Sequence, residues 1–226
     1  RPAMVSGAGP EAAWKAARDA HPPALPPMSP AVLRLLGVGA DDLAAIRNIA
    51  ANFARVSPVN VVTGAMLEPL VNGAPPPSGA GFERDDWTPK PPMLADMPPL
   101  PAMDSLSDDL KSALDALMVP IGGQPFLPAL YRQFARWPAF AGYLAAVIPP
   151  RREDPMVVEA EARAIGGIVT AGRMLFEKLP APATDAPPPD AKTASLIKEA
   201  IERYRNTSAD MICTGQALLI ALPDEM

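Results

Sequence analysis

The stretch ADDLAAIRNIAANFARVSPVNVVTGAMLEPL, residues 40–70, decides the fold class. Leu43, Ile46, Ile49, Ala50 and Phe53 recur at intervals of three and four, which places them on one face of an α-helix. Asp41 or Asp42 supplies an oxygen for the first free backbone N–H groups. Farther along, Ser57 followed by Pro58 has the form of a new helix start, with a hydroxyl cap and a proline at the first helical position. The spacing therefore predicts two helices, one over 40–56 and one over 57–70.

Working outward, the same pattern repeats. SLSDDLKSALDALMV, LPALYRQFARWPAFAGYL, EDPMVVEAEARAIGGIVTAGRMLFEKL, AKTASLIKEAIERYR and SADMICTGQALLIAL all carry apolar residues at helical spacing. None shows a sustained two-residue alternation rich in β-branched residues. Asp41-Asp42, Asp108-Asp109 and Glu153-Asp154 each stand where a helix opens, where carboxylates cap N–H groups and complement the helix dipole. The expected fold class is all-α.

The 31 prolines divide these blocks. The densest run lies between Pro69 and Pro101 and contains VNGAPPPSGAG and TPKPPMLADMPPLP. It cannot be helical and reads as a stiff, extended connector. Shorter breaks are expected at 22–30, 120–128, 149–150 and 180–189. The predicted organisation is a first helical half over 1–70, a connector over 71–103 and a second helical half over 104–226. NVVTGAML (60–67) resembles MICTGQAL (211–218), with Thr63-Gly64 and Thr214-Gly215 in register and Ser57 and Ser208 six residues before each Thr. That likeness suggests two pseudo-repeated halves.

Composition narrows the chemistry. With 20 basic and 25 acidic residues and a net charge of -5, neither nucleic acid nor an anionic membrane is an expected partner. One Cys and one His are too few for zinc sites, Cys-His nucleophile pairs or a disulfide framework. No metal or cofactor is expected. His21, before two prolines, reads as an exposed loop residue in extended backbone, and Cys213 as a buried inert thiol. No apolar run approaches the roughly 20 residues that span a bilayer, and the expected location is cytoplasmic. Because the chain opens on Arg1 rather than Met, any signal segment upstream lies outside the sequence.

The most unusual segment is LPALYRQFARWPAFAGYL, 127–144, which carries aromatics and two arginines within a stretch free of Asp and Glu from Asp115 to Glu153. Leu127, Leu130, Phe134, Trp137, Ala141 and Leu144 step by three and four, a buried stripe. Pro128 suits a first helical turn, which places Leu130 near a helix N-terminus, a position that favours an anion. Arg132 and Arg136, four apart, read first as the solvated side of that helix. Their second reading is as an anchor for a carboxylate, for which Arg has a fork of donors.

The order of these segments resembles the group I 2-haloacid dehalogenase family. The resemblance rests on PPALPPMSPAVLRLLGVGADDLAAIRNIAANFARVSPVNVVTGAML, FLPALYRQFARWPAFAGYL and IERYRNTSADMICTGQALL, with Trp137-Pro138 as the sharpest element, and runs from about Glu11 to the C-terminus. It implies two similar helical halves of the alkylhydroperoxidase-D-like kind. It also implies a water, activated by an Asp and held by an Asn, that displaces halide from an α-carbon. The family's Asp falls on Leu130 here and its Asn on Ser57, which is followed by Pro58. Leucine cannot accept a proton. Ser57, Asn60, Leu130, Phe134 and Trp137 are the pocket residues that the resemblance implies.

The expected function is accordingly a dehalogenase-family protein with a cavity between its halves for a small organic acid, altered or inactive because the family's Asp is Leu130 here, and no residue is named as catalytic. Two alternatives stand beside it. One is an active hydrolase whose base comes from elsewhere, Asp210 or Asp115; Asp210 falls in an apolar helix, where a carboxylate is costly unless paired, with Arg205 the nearest candidate partner. The other is a non-enzymatic helical interaction protein, self-associating as a homodimer.

Overall fold

A computed structural model describes residues 7–82, 97–181 and 189–226. The helices are α1 (Ala8–Asp19), α2 (Pro30–Leu35), α3 (Ala40–Val71), α4 (Asp108–Ala116), α5 (Ala129–Phe134), α6 (Pro138–Arg152), α7 (Pro155–Lys178) and α8 (Ala191–Ala221). A short 3-10 turn occupies Met103–Ser105, and two three-residue strands, β1 (Val119–Ile121) and β2 (Gln124–Phe126), pair antiparallel with Val119 opposite Phe126. The chain is all-α, with this hairpin as its only sheet among the described residues. Gly122 and Gly123, both at positive φ, make the two-residue turn that the hairpin needs. The expected break at 120–128 is thus an ordered hairpin, and its glycines, not strand periodicity, are the sequence signal for it.

Three expected helix boundaries are absent. Residues 40–70 form one helix, not two, so Ser57 is no N-cap; it lies inside α3 and is 3% exposed. Pro58 costs a helix interior about 3 kcal/mol, but Ser57, Pro58, Val61, Val62 and Ala65 form one buried face at helical spacing, and its burial outweighs that cost. Pro149 and Pro150 do not end α6, which runs on to Arg152. AKTASLIKEAIERYR and SADMICTGQALLIAL join as the 31-residue α8. No proline or glycine stands between Ala191 and Gly215 to interrupt it, and residues 207–215 are buried at nearly every position. The reverse happens in 127–144, where α5 stops at Phe134 and α6 starts with Pro138 at its first position.

Contacts divide the chain into two units, each discontinuous in sequence. The first comprises the described parts of 1–21, 55–93 and 162–209, and the second 22–54, the described part of 94–161, and 210–226. This division crosses the sequential one of 1–70, 71–103 and 104–226, because α3, α7 and α8 each contribute to both units. Residues 83–96 of the connector, and most of the expected break at 180–189, lie outside the described residues.

The first unit packs through small residues. A Cβ on Gly172 would stand 2.6 Å from the Ala65 Cβ, and one on Gly167 3.1 Å from that of Ala16, so these glycines let helices approach closely. Trp14 donates to the Arg55 carbonyl at 2.7 Å beneath the Arg55 guanidinium, and Glu68 accepts from Arg205 at 2.9 Å and Arg173 at 3.4 Å. The connector's start is tied down by Gly79 and Gly81, whose N–H groups donate to the carbonyls of Leu179 and Lys178.

The second unit holds the larger apolar core. Leu33, Ile46, Ile49, Leu114, Leu117, Leu130, Phe134, Phe140, Leu144 and Leu218 are all completely buried in it. Phe134 and Phe140 meet edge to face at 5.4 Å, an arrangement that ring quadrupoles favour. Gly215 admits α3 closely: a Cβ there would lie 2.9 Å from the Ala50 carbonyl. Arg47 closes the C-terminal end with donors to the carbonyls of Leu222 and Pro223 and to Asp224.

Candidate functional site

The polar centre of the second unit is built on a carboxylate that the sequence places in an apolar helix. Asp210 is 5% exposed. Burial at that level requires partners for both oxygens. Arg152, in the last turn of α6, supplies them: Nε lies 3.0 Å from Oδ1 and NH2 3.2 Å from Oδ2. The remaining donors of that guanidinium reach the carbonyls of Leu117 at 2.9 Å and Met118 at 3.2 Å, where α4 ends. Tyr131 of α5 donates its hydroxyl to Asp210 Oδ2 at 2.6 Å, and the Thr214 hydroxyl stands 3.3 Å from the same phenolic oxygen. The Arg152 guanidinium also lies over the Tyr131 ring at 5.3 Å.

Electrostatics fix the protons. Complete burial, reinforced by the Asp210 charge, pushes the Tyr131 phenol well above its ordinary value, so it remains a donor. Burial pulls the Arg152 guanidinium down, but hydrogen bonds and charge from Asp210 outweigh this and hold it above its usual value. The centre is thus a neutral phenol between a paired carboxylate and guanidinium. Asp210 pairs with Arg152 and not with Arg205, which binds Glu68. Five residues along a helix is about 500° of rotation, so Arg205 points away from the side that carries Asp210.

One carboxyl that feels this centre has no protein partner among the described residues. Glu161 of α7 is half-buried, and among the described residues no hydrogen bond or ion pair engages it. Loss of solvent, then the Asp210 charge, raises its pKa from 4.5 to about 7, with Arg152 and Arg151 acting in the opposite direction. Arg151 donates NH2 to the Pro23 carbonyl, while its Nε and NH1 are buried without partners. A carboxyl group poised near neutral pH is the one group here with the protonation behaviour of a general base.

This shift has a measurable sign. Between pH 4.5 and 7 the native state retains a proton that the unfolded chain has lost, so stability falls as pH rises through that window and levels off above it. The expected loss is about 2 kcal/mol, after allowing for the water that still reaches the carboxyl. Urea titrations from pH 4.5 to 8 should show this decline in the wild type and a flatter profile in Glu161→Gln.

The residues expected from the sequence fall as follows. Leu130 is completely buried among the apolar side chains of the second unit, as is Phe134. Trp137 packs at the edge of that core and donates Nε1 to Asp42 Oδ1 at 2.8 Å. Asp42 also accepts from the Gly39 N–H at 2.9 Å, and the two bonds, Trp137's the stronger, hold its carboxyl below the ordinary range. Ser57 and Asn60 belong to the first unit, and Asn60 is exposed. Asp115 is exposed at the surface of α4.

Arg132 and Arg136 bind backbone. Arg132 Nε donates to the Pro101 carbonyl at 2.8 Å, Arg136 donates to that of Pro99, and Gln133 between them donates to that of Pro98 at 2.9 Å. Successive prolines offer carbonyls with no N–H groups nearby to answer them, and these three side chains supply the missing donors. The helix N-terminus expected to favour an anion at Leu130 belongs to a helix of only six residues.

His21 is exposed, but its φ of 46° is left-handed, not extended. Cys213 is buried and forms no disulfide. Among the described residues no cluster of His, Cys, Asp and Glu could hold a metal ion, and no helix is long and apolar enough to cross a membrane. Tyr131, Arg152 and Glu161 were not expected from sequence. The signal that could have found a partner for Asp210 was the cost of an unpaired carboxylate in an apolar helix, but sequence does not say where along the chain that partner lies. Comparison with protein-family models, curated proteins and solved structures gave no match.

Proposed function

We propose that this chain is a helical protein of the group I 2-haloacid dehalogenase kind that binds a small organic acid without carrying out the family's hydrolysis. The observation that carries the reading is the engagement of Asp210, whose two oxygens are taken up by Arg152 and Tyr131. A general base needs a lone pair free to receive a proton from water. Leu130, where the resemblance puts the family's Asp, is completely buried and has no acid-base chemistry.

A second reading, an active hydrolase, is favoured by one feature only, the unpaired Glu161 with its pKa near 7. In that case Glu161, and not Asp210, is the base.

The test is chloride release from each enantiomer of 2-chloropropionate, followed beside ligand-detected NMR of the same acid. The expected outcome is saturable binding with no chloride release above the uncatalysed rate. Turnover lost in Glu161→Gln would establish the second reading. Neither binding nor turnover would remove both and leave the interaction role.

A further inference from the structure

In the first unit α8 lies against α3 where Gly64 leaves room for it: a Cβ on that glycine would stand 3.4 Å from the Ile201 side chain. Ile201 also lines a pocket of about 260 Å³. Lys198, Glu202 and Arg205 line it with Ile201, at the three-and-four spacing of a single face of α8, and Glu68 and Asn72 line it from the end of α3. At about 30 Å³ for each water, the space takes roughly nine water-sized groups, the bulk of a small organic molecule.

The charged groups around it are of two kinds. Glu68 is already matched, since Oε1 accepts from Arg205 at 2.9 Å and Oε2 from Arg173 at 3.4 Å. That bond anchors Arg205 through one nitrogen and leaves further donors on the guanidinium. Lys198 and Glu202 are unmatched. They stand four apart on one helix, close enough to pair, yet among the described residues no hydrogen bond or ion pair joins them or engages either one elsewhere. Lysine ahead of glutamate is the weaker order for such a pair. The pocket is thus lined by a free ammonium, a free carboxylate and spare guanidinium donors, and Asn72 and Asn206 add amides that both donate and accept.

We propose that this pocket is a binding site for a small zwitterion, an α-amino acid with a short side chain. Its carboxylate bonds to Arg205 and Lys198, its ammonium to Glu202, and its side chain rests on Ile201. An acid without the ammonium leaves Glu202 facing a like charge, and an amine without the carboxylate leaves Lys198 and Arg205 facing one. Such contacts select against both. A zwitterion answers the charges of both signs at once. The proposal does not rest on the reading of the chain as a binder of organic acids.

The experiment is an NMR titration of the whole chain with L-alanine, propionate and ethylamine, the last two being the same carbon skeleton less one charged group. The signals observed are the Arg205 Nε–H and the side-chain amides of Asn72 and Asn206. L-alanine is expected to shift them saturably and to bind at least about tenfold more tightly than propionate or ethylamine. Lys198→Met and Glu202→Gln, both at exposed positions, should each weaken L-alanine by about tenfold, while Glu202→Gln leaves propionate no weaker than before. Shifts that fail to saturate with L-alanine would overturn the proposal. So would propionate binding as tightly as L-alanine, or L-alanine binding that survives both substitutions unchanged.

Discussion

Asp210→Ala is expected to lower stability by about 3–4 kcal/mol, the usual consequence of removing one member of a buried, hydrogen-bonded ion pair. The Arg152 guanidinium keeps its bonds to the Leu117 and Met118 carbonyls but loses both bonds to carboxylate oxygens. Tyr131, completely buried, loses its 2.6 Å acceptor. Asp210→Asn retains the shape and one acceptor and should cost less, about 1–2 kcal/mol. The measurement is the urea midpoint with its slope checked for constancy. The origin of the loss is tested by the double variant Asp210→Ala with Arg152→Met: once the stranded charge is gone, most of the loss should return. A double variant no more stable than Asp210→Ala would mean that the pair contributes through packing and not through charge.

Leu130→Asp is expected to be more damaging still, on the order of 5 kcal/mol. It removes a completely buried leucine, worth about 2–5 kcal/mol with the cavity left behind, and puts a carboxyl into an apolar core. A loss of that size is comparable with the whole stability of many domains. In a chain of this length it lowers the melting temperature by roughly 10–20 °C, readable by circular dichroism. Leu130→Met, nearly equal in volume, should cost under about 1.5 kcal/mol. If Leu130→Asp instead folds with near wild-type stability, the site around Leu130 contains polar groups or space that would accommodate the family's catalytic acid, and the reading of an altered dehalogenase gains a direct route to restored chemistry. This comparison separates a position that lost an acid from one that belongs to the core.

Both substitutions act on residues whose surroundings were unequally legible. The stripe Leu127, Leu130, Phe134, Trp137, Ala141, Leu144 is readable from spacing alone; Leu130, Phe134, Ala141 and Leu144 are completely buried, whereas Leu127 and Trp137 are only partly buried at the edge of the core. That stripe survives even though α5 and α6 are separate helices, because the three-and-four spacing reports which side chains share a face and not whether the backbone continues. Proline carries a similar ambiguity. Pro138 starts a helix while Pro58, Pro149 and Pro150 lie within helices; the residue is the same and the difference lies in what the neighbouring turns bury. Arg132 and Arg136 were legible as a pair on one face, but their carbonyl partners about 31 and 37 residues away were not.

By itself the sequence determined the helical character, the carboxylate cap at Asp154, which accepts from the Met156 N–H, and the buried part of the apolar stripe. These depend on interactions within a few residues, which spacing and residue type encode directly. Tertiary structure alone decided that Asp210 would meet Tyr131, 79 residues away, and Arg152, 58 away, and that Glu161 would have no protein partner among the described residues. Helical periodicity states that a residue turns inward; which charge awaits it there is set by how distant helices pack, and with it the proton affinity of every group at the centre.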